Sequence, residues 1–163
     1  MPLAIVTGTS RGLGRALAER LLAQGWSVHG FAREPDGWAA PGFVAHTVDV
    51  GDPAAVRAAV AAVTADGATI DLLVNNAGVA AMNALLLTPP EVAAELMRVN
   101  YLGSFHCLQA VGKAMVRARR GRILNVTTVA VPLALEGEAA YVASKAAVEA
   151  LTRVAARELA PHG

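Results

Sequence analysis

One feature limits the possible folds more than any other: short apolar runs alternate with amphipathic stretches along the whole chain. Leu3-Ala4-Ile5-Val6-Thr7, closed by Gly8, predicts a strand buried on both faces. From Gly12 to Gln24, Leu13, Ala16, Leu17 and Leu21 fall at helical spacing, and Gly25 supplies the stop. Trp26 to Ala32 predicts a second strand. A loop rich in Pro, Gly and Asp follows from Glu34 to Gly42, and then a third strand from Phe43 to Val48. Asp52-Pro53 is an N-cap and first-turn pair opening a helix that reaches about Asp66. Ile70 to Val74 predicts a fourth strand, followed by Asn75-Asn76-Ala77-Gly78. Thr88-Pro89-Pro90-Glu91 starts a long helix to about Arg120, with Thr88 and Glu91 at capping-box spacing. Ile123 to Thr127 predicts a fifth strand, a loop spans Thr128 to Glu138, and a last helix covers Ala139 to Ala160.

Strands that run parallel need long crossovers, and helices supply them. The alternation therefore predicts right-handed βαβ units and an α/β fold: a doubly wound parallel sheet of Rossmann type, strand order 3-2-1-4-5, with helices on both faces. With 163 residues, one domain over positions 1–163 is expected. The last helix stops at Ala160-Pro161-His162-Gly163, where a crossover helix ordinarily leads to another strand. The fifth strand is thus expected at an open edge, and the domain is expected to be C-terminally incomplete, truncated before its last strands.

Composition narrows the function classes. A hydrophobic fraction of 55% with only 4% aromatics suits Ala-rich helices on a buried sheet and excludes a disordered chain. A net charge of +1 gives no reason to invoke nucleic acid or an anionic membrane surface. No apolar run reaches the ~18 residues of a membrane span. The basic cluster Arg117, Arg119, Arg120, Arg122 is expected to be a solvated helix end, favoured by the C-terminal dipole. The single cysteine, Cys107, permits no internal disulfide and fits a buried thiol in a reducing compartment. Met1 leads straight into an apolar strand with no basic leader, so a soluble, cytoplasmic protein is expected. His29, His46, His106 and His162 show no metal-ligand spacing, and no metal site is expected.

Chemistry concentrates at the strand ends. Thr7-Gly8-Thr9-Ser10-Arg11-Gly12-Leu13-Gly14 joins the first strand to the first helix. Glycines there let the backbone turn tightly and approach a pyrophosphate at the positive helix end. The spacing is not the ordinary G-x-G-x-x-G, and by itself it also fits a mere tight turn. With Asp49-Val50, Asn75-Asn76-Ala77-Gly78, Asn100 and Tyr141-Val142-Ala143-Ser144-Lys145 following in order, the chain resembles the short-chain dehydrogenase/reductase family over residues 1–163. Within that family it is most similar to the β-ketoacyl-carrier-protein reductase type.

The resemblance implies a nicotinamide cofactor held by Gly8, Ser10, Arg11, Gly12, Leu13, Gly14, Arg33, Asp49, Val50, Asn76, Ala77, Gly78, Tyr141 and Lys145, with Asp49-Val50 where family members hold the adenine. It also implies a catalytic set of Asn100, Thr128, Tyr141 and Lys145, with Asn100 anchoring a water in a proton relay and Lys145 on the nicotinamide ribose. Independently, a carbonyl that accepts hydride needs a proton, and a tyrosine hydroxyl can donate it if its pKa falls from ~10 toward neutrality. A shift of ~3 units requires about 4 kcal/mol of phenolate stabilisation. Lys145, four residues from Tyr141 on one helical face, can supply much of it. The family's substrate-binding serine, thirteen positions before the tyrosine, is Thr128 here. It keeps the hydroxyl but adds a methyl and a stiffer χ1, and reads either as a working substitute or as a loss of activity.

Cofactor choice turns on the end of the second strand. An acid there binds the ribose 2′-hydroxyl of NAD(H), whereas Arg favours the 2′-phosphate of NADP(H). Ala32 holds the acid's position, Arg33 follows, and Arg11 is a second base, so NADP(H) is expected over NAD(H), with Glu34 a competing ribose contact. Val79 to Met82 and Val129 to Leu135, which line the site in this family, are apolar and favour a hydrophobic carbonyl compound over a sugar. Two functions remain open on sequence: an NADP(H)-dependent carbonyl/alcohol oxidoreductase with Tyr141 as acid/base, or a truncated, catalytically silent nucleotide-binding or interaction module. Val142, Ala146, Leu151 and Val154 give the last helix an apolar face. A homodimer or homotetramer through the two long helices is expected to cover it.

Overall fold

A computed structural model describes residues Met1–Gly163. Five strands, β1 (Leu3–Thr7), β2 (Ser27–Ala32), β3 (Phe43–Thr47), β4 (Leu72–Asn75) and β5 (Arg122–Asn125), form one sheet in the order β3-β2-β1-β4-β5. Every pairing is parallel, with Ile5 opposite His29 and Leu73, and Asn75 opposite Asn125. This is the doubly wound Rossmann-type sheet expected from the alternation. β5 pairs with β4 alone and forms one edge.

Alternate side chains of β1, β2 and β4 enter two separate cores, as the pleat demands. Leu3, Ile5, Phe31 and Leu73 face α2 (Pro53–Val63) and α4 (Gly103–Ala118), meeting Val56, Val60, Cys107, Val111 and Met115. Ala4, Val6, Val28, Leu72 and Val74 face α1 (Gly12–Ala23), where Ala18 is fully buried. Each buried Val, Leu or Ile contributes roughly 1.5–3 kcal/mol, so the pleat alone commits the sheet to covers on both sides. On the α1 side no cover reaches β5, and Leu124, level with Val74, is 55% exposed.

Local signals acted mostly as expected. Asp52 caps α2 by accepting from Ala54 N at 2.8 Å, with Pro53 at the first helical position. Gly25, at φ +81°, takes the left-handed turn that ends α1. Four expectations need correction. Leu13 is 56% exposed rather than inward. Close packing of Gly14 on the Gly8 carbonyl sets the buried face of α1 instead, through Gly14 and Ala18. The capping box at Thr88 and Glu91 does not form. Thr88 Oγ1 turns back to Ala84 O at 3.1 Å, closing a one-turn 3-10 helix, and the next helix starts two residues later at Pro90.

The long helix is also not one α-helix. It runs as α3 (Pro90–Leu96), a π-helical turn (Met97–Leu102) and α4, ending at Arg119 in a left-handed cap. The stretch expected as a plain loop, Thr128 to Glu138, contains a short helix, α5 (Ala130–Leu133), before α6 (Ala139–Leu159). Strand and helix ends otherwise differ from the sequence expectation by a few residues, mostly one or two. At the end of α4, Arg120 pairs with Asp71 at 3.1 Å while Arg117 and Arg119 stay exposed, the solvated end expected of the cluster.

Candidate active site

A cleft of about 740 Å³ opens along the C-terminal ends of β1, β2, β3 and β4. Its floor is the turn after β1 stitched to the turn after β4. Thr7 Oγ1 accepts from Asn76 N (3.0 Å) and Ala77 N (2.8 Å), and Asn76 Nδ2 donates to Thr7 O (2.9 Å). The match is close enough that a Cβ on Gly8 would meet Asn76 Nδ2 at 2.9 Å. Gly8 and Gly12 both sit at positive φ, +75° and +61°, which only glycine adopts cheaply. No side chain caps the N-terminus of α1, so its free amides face the cleft beside Gly8, Ser10 and Gly12. Such an uncapped helix start, with glycine at its first and third positions, is a site for a bridging diphosphate. The cleft therefore fits a dinucleotide.

At its β2–β3 end the cleft is walled by Phe31, Val48, Val50 and Val99, with Asp49, Arg33 and Glu34 at the polar margin. The margin is braced by Arg15 of α1. It donates to Thr9 O (3.2 Å), pairs with Asp36 and stacks 4.1 Å over the Trp38 ring. The Trp38 amide and then Arg15 hold Asp36 below the usual carboxylate range. At the other end the cleft reaches Gly78 and Val79. A Cβ on Gly78 would lie 3.1 Å from Asn100 Oδ1 and 3.5 Å from Lys145 Nζ, so the cleft ends against the helix carrying Tyr141.

Asn100 comes from the π-helical turn, where the widened backbone admits its side chain. Fully buried, it accepts from Val79 N (2.8 Å) and donates to Val79 O (2.9 Å) and Ser144 Oγ (2.9 Å). Its amide is thus spent on clamping the turn after β4 to α6. Ser144 in turn donates to Tyr141 O at 2.7 Å. Lys145 is 6% exposed and donates to Val126 O at 2.8 Å, just beyond β5, and burial pushes its pKa down. Thr128 Oγ1 accepts from Ala130 N at 3.2 Å, opening α5. The structure thus gathers Asn100, Tyr141 and Lys145 on one clamp, with Thr128 two residues past the carbonyl that holds Lys145.

Of the residues expected at the cofactor, Gly8, Ser10, Arg11, Gly12, Arg33, Asp49, Val50, Asn76, Ala77 and Gly78 line the cleft. Leu13 points to solvent, Gly14 packs beneath the turn, and Tyr141 and Lys145 stand beyond the Gly78 end. Sequence reasoning missed Ser144, although it lies inside the Tyr-to-Lys spacing. It also missed Arg15, Asp36 and Arg98, whose partners are distant in sequence. Arg98 donates to Glu95 at 2.6 and 2.9 Å and to Asp49 at 3.0 Å, a network that holds Glu95 below its usual pKa and raises that of Arg98.

Comparison with known proteins agrees with this arrangement. Residues 2–163 match the family described as short chain dehydrogenase, and the chain belongs to that family. The 3-oxoacyl-(acyl-carrier-protein) reductases FabG of Vibrio cholerae and Escherichia coli are 35% and 34% identical to it, with 99% of this chain and 68% of each relative aligned. A short-chain dehydrogenase from Streptomyces avermitilis superposes with a TM-score of 0.91 at 32% identity. The ligand-free aldohexose dehydrogenase of Thermoplasma acidophilum gives 0.93 at 30%, and an NAD+-bound xylitol dehydrogenase 0.94 at 32%. The chain is covered to 99% in each and spans 62%, 62% and 66% of those three solved chains.

Proposed function

We propose that residues 1–163 form one dinucleotide-binding and catalytic unit of an NADP(H)-dependent oxidoreductase that interconverts a carbonyl and an alcohol. The observation carrying this reading is the end of the cleft at Gly78, within reach of Lys145 on the helix that presents Tyr141. When bound, the nicotinamide supplies or accepts the hydride. The chain's own residues do the rest. Gly8, Ser10 and Gly12 leave the α1 amides open to the diphosphate. Lys145 spends one of its three donors on Val126 O, leaving two for the ribose and for stabilising a Tyr141 phenolate. Tyr141 gives its proton to the carbonyl oxygen or takes it back from the alcohol, and the Thr128 hydroxyl orients that oxygen. The Asn100 clamp keeps these groups in register with the cleft.

Arg33 and Arg11, both exposed at the cleft margin, support a preference for the 2′-phosphate, since no acid stands at Ala32. Titration of NADPH and NADH by nicotinamide fluorescence tests this: NADPH binds more tightly, and Arg33→Ala removes most of the difference. One charge-assisted contact is worth roughly 1.5–3 kcal/mol, so the selective loss is on the order of tenfold to a hundredfold. Equal affinities in the wild type overturn the preference. The apolar loops Val79–Met82 and Val129–Leu135 support a hydrophobic small-molecule carbonyl as substrate. The lone buried Cys107, its thiol pushed up to about 12 by burial, fits a reducing cytoplasm. Val154 and Leu102, 53% and 39% exposed on the two long helical segments, support assembly as a homodimer or homotetramer through those helices.

A further inference from the structure

We propose that Arg98 sets selectivity for the purine base of the dinucleotide, by pinning Asp49 as a fixed acceptor for an exocyclic amine. This rests on the dinucleotide reading of the cleft, with the adenine at Asp49 and Val50 as the family resemblance implies, and adds to it a positioning residue that touches no substrate itself. Arg98 leaves the π-helical turn two residues before Asn100. Nε and Nη2 grip both oxygens of Glu95, at 2.6 and 2.9 Å, which aims Nη1 at Asp49 Oδ2, 3.0 Å away. The other oxygen, Oδ1, accepts from Gly51 N at 2.8 Å. Each carboxylate oxygen therefore has one fixed donor and one lone pair to spare.

The backbone is shaped around this guanidinium. A Cβ at Gly51 would collide with Arg98 Nη1 and Cζ, so the residue after Val50 has to be glycine for the pair to form. Two further contacts from the same helix hold the neighbouring residue. A Cβ on Gly103 would lie 2.6 Å from Val50 Cγ2, and His106 Nδ1 sits 3.0 Å from Val50 O. Asp49, Val50 and Gly51 are gripped together from one side, and the cleft lies on the other.

At that end the walls Phe31, Val48, Val50 and Val99 suit a flat ring, and Asp49 is the acceptor among them. A carboxylate favours an amine on the ring and repels a carbonyl oxygen at the same position. Adenine carries the amine; hypoxanthine carries the carbonyl. An unheld aspartate would rotate away from the wrong base into solvent, whereas one held at both oxygens cannot. Arg98 thus turns a general acceptor into a selective one.

The test compares NADPH with its hypoxanthine counterpart, titrated by nicotinamide fluorescence. The wild type binds the adenine form about tenfold more tightly, the size of one charge-assisted hydrogen bond. Arg98→Met brings the two to within about twofold, and Arg98→Lys, which keeps the charge but not the fork, falls between. Glu95→Ala loosens the same guanidinium from a half-buried position and lowers the ratio even if Arg98→Met folds poorly. A merely structural role would weaken both dinucleotides alike. An unchanged ratio in any folded Arg98 variant overturns the proposal while leaving the cleft reading intact. A wild type that binds neither dinucleotide overturns both.

Discussion

Lys145 shows how one side chain ties the sheet to the chemistry. A lysine this deeply buried resists charging, yet it keeps a carbonyl partner at the end of β5 and faces the cleft at Gly78. An anionic partner such as a tyrosinate forming nearby would offset part of the cost of holding an ammonium there. Tyr141→Phe removes that partner and the proton, but almost none of the packing. Turnover is expected to fall by at least about a hundredfold, the lower range for a lost general acid, while dinucleotide affinity stays within about twofold. Single-turnover absorbance at saturating cofactor measures the first and fluorescence titration the second. Substantial residual turnover would place the acid elsewhere. The sequence made Tyr141 and Lys145 legible because a four-residue spacing is a local fact. Arg98 and Arg15 were not legible, because Asp49 and Asp36 reach them only once the sheet has formed.

At the level of the elements, periodicity located every strand because each is short, apolar and bounded by Gly, Pro or Asp. It misjudged the long helix for a physical reason. A π-helical turn keeps the same composition as its α-helical flanks, and only the partners of Asn100 show that the phase has slipped. The Thr88 box failed similarly, since consecutive prolines shift the start of α3 past the threonine.

Strand β3, at the sheet's other edge, depends on a different device. His29 Nδ1 and His46 Nε2 lie 2.8 Å apart across β2 and β3, with the rings stacked at 5.1 Å and Phe31 edge-on to His46. Burial first, and for His29 also the neighbouring His46, lowers both imidazole pKa values. The folded pair thus binds fewer protons than the unfolded chain near and below the ordinary value of 6.5. Stability contributed by the neutral pair is present above that value and is lost as pH falls through it. Thermal melts between about pH 8 and pH 5.5 are expected to fall more steeply for the wild type than for a His29→Phe, His46→Val double variant. Parallel curves would mean the pair carries no pH sensitivity.

Over the whole molecule, the two cores are unequally covered. The α2–α4 side is closed over β1, β2 and β4, whereas the α1 side thins toward β5, where Leu124 is exposed and the strand has a free edge. The apolar face of α6, expected to be covered by a partner, stays partly open within the chain. Ser144, Lys145, Val148 and Ala155 are buried, whereas Val142, Ala146 and Leu151 are half-buried and Val154 is exposed. A chain with such surfaces is expected to self-associate through α4 and α6, and light scattering should return a dimeric or tetrameric mass. A monodisperse monomer across a wide concentration range would rule this out.

The π-helical turn has a consequence for anyone who would transplant or idealise this helix. Each residue advances an α-helix by about 100°, so a regular rod drawn through the same sequence would swing α3 round by roughly that angle relative to α4. Leu96 and Val99 would leave the core, and Arg98 and Asn100 would no longer address opposite ends of the cleft. The irregular turn works as a fixed gearing between two rods. It holds the Asp49 end of the cleft and the Tyr141 helix in one phase, so neither can be re-engineered in length without resetting the other.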